Sequence, residues 1–135
     1  MAALTADRLT PRRDGKRVSL PVAASTRLFA GSLVCLNATG YATKGAISTT
    51  LKAVGVAVEA ADNSGGANGA INVEVERGTW RFGNSSGGDL IALADVGSVC
   101  YVVDDQTVAK THNGNTRSVA GTVRDVDAAG VWVEF

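Results

Sequence analysis

Aromatic residues are scarce, with two Trp, two Tyr and three Phe in 135 residues. A large aromatic core and a base-stacking surface are both disfavoured by that count. Histidine occurs once, at His112, and cysteine twice, at Cys35 and Cys100. One histidine and two separated cysteines cannot build a structural zinc site. Nucleophilic catalysis needs a base within reach of a Ser or Cys, and His112 lies in a Gly/Asn stretch where a solvated, mobile ring is expected. Both cysteines sit in apolar runs and are read as buried free thiols rather than a disulfide. No apolar run approaches the roughly 20 residues that span a bilayer. No apolar stretch follows the N-terminal charges as in a secretory signal, so synthesis and folding in the cytoplasm is expected.

What the chain has in quantity is Val, Ala and Gly. Val fits a pleated, half-buried surface, and 16 Gly against 2 Pro suit many short strands joined by tight turns. Val18, Leu20 and Val22 alternate with smaller or polar residues, and Pro21 marks an edge or strand-end position. Leu33 to Leu36 is continuously apolar, and a short strand is expected at Tyr41–Thr43. Val54, Val56 and Val58 alternate with Gly55 and Ala57, both small enough to lie under a close neighbour. The clearest strand places Ile71, Val73 and Val75 on one face and Asn72, Glu74 and Glu76 on the other. Trp80 and Phe82 share a face opposite Arg81; Leu90 to Val96 suggests one helical turn, stopped by Gly97. Val99–Val103 is followed by a return hairpin at Thr107–Lys110; Val119, Gly121 and Val123 share a face, and Val131–Phe135 closes the pattern. Asp62 to Gly69, Asn84 to Gly88 and His112 to Asn115 read as polar loops. The expectation is an all-β body of about nine short strands, a compact barrel or sandwich, over residues 18–135.

Net charge is zero but unevenly placed. Residues 1–17 carry five cations against two anions, a balance of +3, so residues 18–135 carry −3. Pro11 biases Thr10 toward extended geometry, and Asp14-Gly15 signals a turn. Residues 1–17 are therefore read as a basic arm, mobile in the free protein and ordered by a partner. Its candidate partner-binding residues are Arg8, Pro11, Arg12, Arg13, Lys16 and Arg17, with Leu4 and Leu9 as apolar pegs. Arginines suit bidentate pairing with carboxylates of an acidic protein. Nucleic acid is a candidate partner, but the arm lacks stacking aromatics and the body is acidic, so docking on an acidic protein surface suits the pattern at least as well; a disordered tail with no partner is the third reading. No phosphate cradle, catalytic set, cofactor motif or calcium loop is complete: Asp125-Val126-Asp127 lacks the further oxygen ligands, and Asp104-Asp105 reads as a strand-end turn.

Several segments together resemble the small head-region proteins of Mu-like phages and prophages. They are Thr5-Ala6-Asp7-Arg8, Thr10-Pro11-Arg12-Arg13-Asp14-Gly15, Val18-Ser19-Leu20-Pro21-Val22-Ala23 and Leu28-Phe29-Ala30-Gly31-Ser32-Leu33-Val34. Asp62-Asn63, Gly65-Gly66, Val73-Glu74-Val75-Glu76-Arg77-Gly78, Ala94-Asp95-Val96-Gly97 and Tyr101-Val102-Val103-Asp104-Asp105 extend the resemblance along nearly the whole chain. The resemblance implies a capsid decoration, or cement, protein similar in role to the lambda head-decoration protein. It further implies a small β-barrel or β-tulip body, commonly trimeric, whose arms tie it to the coat lattice on the outside of the virion. No enzymatic site or cofactor comes with it. The alternatives are a head-completion or tail-associated virion protein, and a nucleic-acid-binding module using the arm.

Overall fold

The computed structural model describes residues 2–13 and 15–135. Among them the chain is all-β, with twelve short strands and two 3-10 turns. The first six strands are Arg17–Pro21 (β1), Thr26–Leu28 (β2), Leu33–Leu36 (β3), Ala42–Lys44 (β4), Lys52–Ala57 (β5) and Ala61–Asn63 (β6). The remaining six are Asn72–Glu76 (β7), Thr79–Phe82 (β8), Val99–Val102 (β9), Val108–Ala109 (β10), Val119–Asp127 (β11) and Gly130–Glu134 (β12).

The strands form two five-stranded sheets and one two-stranded ribbon, all antiparallel. The first sheet runs β1-β7-β5-β3-β4, the second β10-β9-β11-β12-β8, and the ribbon pairs β2 with β6. The all-β expectation holds, and of the barrel and sandwich forms it allowed, neither large sheet is a closed barrel. Each curls until its two ends are linked by one parallel bridge, Val22 to Ala42 in the first and Gly83 to Thr107 in the second.

The first sheet is buried on both faces at β3 and the C-terminal half of β5. Leu33, Cys35 and Val56 join Val102, Val123 and Val131 in a core between the two sheets. Val34, Ala57, Val73 and Val75 point the other way and pack with Leu28 and Ala61 of the ribbon. The unbroken apolar run of β3 follows from this position, since a strand between two cores has no wet face. β7 keeps its strict alternation because only Val73 and Val75 face the core. Gly55 allows β5 to approach β7 closely: a Cβ there would lie 2.5 Å from the Glu76 carbonyl, at a φ of +147°.

Two local expectations are corrected and one is refined. β11 shifts register between Val119 and Gly121 and again between Val123 and Asp125. Val119 is therefore 48% exposed while Val123 is 1% exposed, and they do not share a face. The helical turn expected at Leu90–Val96 is present as a 3-10 turn at Leu93–Asp95, followed by Gly97 at a φ of +93°, and a further 3-10 turn lies at Gly87–Asp89. Asp62 and Asn63 belong to β6 rather than to a flexible loop. Asn63 is only 4% exposed, and its amide donates to the carbonyls of Ala23 and Ala67 at 2.9 Å and of Val22 at 3.4 Å.

Candidate attachment site

Every described residue from 2 to 13 is exposed, and the segment has no regular secondary structure. Leu4 is 71% and Leu9 97% exposed. Leaving two leucines in water is unfavourable, and burying each against a partner contributes about 1.5–3 kcal/mol. Arg8, Arg12 and Arg13 make no ion pair with the body among the described residues. The arm thus presents three guanidinium groups and two apolar side chains outward. The turn expected at Asp14-Gly15 rests on Asp14, which lies outside the described residues.

The arm joins the body through β1, whose register against β7 starts at Arg17 opposite Glu76. The ordered body thus begins one residue before 18. Lys16 is already tied down, its carbonyl accepting from the Arg77 N–H at 2.7 Å. Glu76 faces both Lys16 Nζ, at 3.8 Å, and Arg17 Nε, at 3.5 Å. Both cations are mainly solvent-exposed, so these pairs contribute at most about 1 kcal/mol. The five-residue ladder of β1 on β7 is the real anchor. Of the eight residues expected to bind a partner, Leu4, Arg8, Leu9, Pro11, Arg12 and Arg13 are exposed. Lys16 and Arg17 hold the arm's root. β1 is an edge strand and Pro21 its last residue, so the proline's missing N–H leaves no ladder bond unmade within the sheet.

Elsewhere the polar groups serve the fold. Burial pushes the Cys35 thiol up to about 12 and the Cys100 thiol up to about 11, so neither is a thiolate near neutrality. Asp127 accepts from the Trp132 indole N–H at 2.9 Å and from the backbone N–H groups of Ala129 and Gly130 at 2.8 and 3.0 Å. The Trp132 bond, followed by the Ala129 backbone bond, holds its carboxyl below the usual carboxylate range. Asp104 accepts from the Gln106 N–H at 2.9 Å. These carboxylates close turns. His112 is exposed, but its ring is ordered rather than free: Nδ1 accepts from the Asn115 N–H at 2.8 Å, and the ring stands edge-on to Tyr101 at 5.7 Å. Among the described residues no group of three or more His, Cys, Asp or Glu is placed to hold a metal ion. No helix there is long and apolar enough to cross a membrane.

Two surface features have no counterpart in the sequence reading. Phe29 is exposed at a bend before β3, with the Arg27 guanidinium 5.0 Å from its ring centroid. A groove also runs between the sheets where β5 and β11 begin, bordered by Lys52 and Arg117. No family model, curated protein or solved structure matches the chain.

Proposed function

We propose that this chain is a non-enzymatic structural protein that decorates and stabilises a phage capsid. It assembles in the host cytoplasm and sits on the outer surface of the virion. The coat protein is its partner and the arm its attachment device. The observation that carries this reading is the arm itself: twelve described residues, 2–13, all exposed, that present Leu4, Leu9 and three arginines with no ion pair among the described residues. Exposed leucines and guanidinium groups on one segment suit binding to another surface. The resemblance to decoration proteins of Mu-like phages supports reading that surface as a capsid lattice.

The physical chemistry suits the role. An extended segment can add to an exposed strand edge through main-chain hydrogen bonds, while arginines pair bidentately with coat carboxylates. A homotrimer presents three arms, and after one engages the others bind at an effective concentration of order millimolar. A protein that binds the assembled lattice and not its free subunits stabilises the shell by mass action.

Copy number is the test. Quantitative mass spectrometry of purified particles should find this chain at a stoichiometry approaching that of the coat protein. A few copies per particle would assign it to the portal or tail instead. Retention of the isolated chain on DNA at physiological salt would favour the nucleic-acid reading.

A further inference from the structure

The groove between the sheets has a volume of about 480 Å³. Ala120 is buried in its floor, where Leu51 and Ala53 pack against the same core. Lys52 and Val119 stand exposed at its rim, and Arg117 lies in its wall. The walls are tied together: the Ser118 hydroxyl donates to the Ser48 carbonyl at 2.5 Å and accepts from the Leu51 N–H at 3.2 Å. The groove lies at the opposite end of β5 from Val56, which pairs with Glu76 at the arm's root.

Three observations point to the same occupant. The first is backbone. Lys52 and Ala53 of β5 pair with β3, but β7 reaches only Val56 and Ala57. Val119 of β11 pairs with β9, but β12 begins its pairing at Thr122. Two strand segments, each paired on one side only, therefore border one cavity, and a one-sided strand is a template for another strand. The second is charge. The residues lining the groove include two cations and no carboxylate, on a body whose balance is −3. The third is an unmade bond. The Arg117 side chain is 10% exposed, and its Nη1 donates to Asp89 at 3.2 Å and to the Thr111 carbonyl at 3.0 Å. Its Nε is buried without a partner among the described residues. A buried charged donor left unpaired is costly, and a carboxylate is its strongest acceptor.

We propose that this groove binds an extended, carboxylate-bearing peptide segment of a partner chain. The segment's backbone lies along the one-sided strand edges, and its carboxylate sits between Lys52 and Arg117. The volume falls within the range of about 300–1,000 Å³ typical of ligand sites and takes only a few residues of the segment. This contact is independent of the arm and of the surface the arm holds.

The test uses the full chain, labelled with nitrogen-15, titrated with the blocked peptide acetyl-Thr-Val-Glu-Val-Thr-amide. Saturable amide shifts are expected at residues 49–53 and 117–120. The version with Gln in place of Glu should bind about tenfold more weakly. Lys52→Glu changes an exposed side chain with no ion-pair partner among the described residues, and the same spectra report its fold. It should lose about tenfold in affinity for the glutamate peptide and prefer the lysine version. Three results would overturn the proposal: no saturable shift up to ~1 mM peptide, equal affinity for the Glu and Gln peptides, or shifts centred elsewhere on the protein.

Discussion

Replacing Asn63 by alanine tests whether one buried amide locks the β2–β6 ribbon to the first sheet. The wild-type side chain has two amide hydrogens and serves the carbonyls of Ala23 and Ala67 at 2.9 Å, with Val22 a weaker third at 3.4 Å. The Ala23 carbonyl belongs to a buried residue, and losing its donor there costs about 1–3 kcal/mol. Ala67 is exposed, so water replaces its donor and the loss is nearer 0.5–1.5 kcal/mol. Together the variant should lose about 2–4 kcal/mol in urea denaturation, with an unchanged m-value. At about 4 °C per kcal/mol for a domain of this size, the midpoint should fall by about 8–16 °C. Asn63→Asp should be worse at neutral pH, because a carboxylate then faces the same carbonyls. Its folded pKa is raised by that environment, so it should recover stability as pH falls through that value. A loss below about 1 kcal/mol for the alanine variant would refute the reasoning, because it would mean that these carbonyls are satisfied by water as readily as by the amide.

Glycine positions separate strain from space. Gly55→Ala adds a Cβ 2.5 Å from the Glu76 carbonyl at a φ of +147°, whereas Gly31→Ala, at +83°, meets no atom within 4 Å. The first should cost at least about 3 kcal/mol and the second about 1–2 kcal/mol by thermal melts. Cys35 and Cys100 should not react with a thiol reagent near pH 8 until denaturant is added; rapid modification of the native protein would contradict their raised pKa values of about 12 and about 11. The depressed pKa of Asp127 contributes stability that is present above the unfolded value of about 3.9 and is lost as pH falls through the folded value. The melting difference between wild type and Asp127→Asn should therefore shrink in acid, and a difference constant with pH would sink that assignment.

The strands were legible where burial is one-sided or complete. Val73 and Val75 alternate because β7 has one core face, and Leu33–Leu36 is continuous because β3 has two. Arg81 does stand opposite Trp80 and Phe82 on β8, over the Trp132 ring at 5.7 Å. The bulges of β11 carry no residue signature, so an even spacing of Val119 and Val123 misplaced one of them. Asn63 was hidden by its neighbours, because Asp62-Asn63-Ser64-Gly65-Gly66 has the composition of a loop even though the amide is buried. The arm was visible as charge without periodicity. Its root was less so, since Lys16 and Arg17 look like arm residues until Glu76 and Arg77 are brought beside them by the β1–β7 ladder. The groove between Lys52 and Arg117 exists only in three dimensions, where two strands distant in sequence approach with an open edge each.

The most direct test of the attachment role is co-sedimentation of the protein with purified capsid shells that lack it. Full-length protein and a variant without residues 1–15 are compared, the variant keeping Lys16 and Arg17 to close the Glu76 contact. The truncated chain should keep the β-sheet spectrum and melting midpoint of the full chain, yet stay in the supernatant while the full chain pellets with the shells. Equal decoration by the two forms would contradict the claim that the arm holds the lattice.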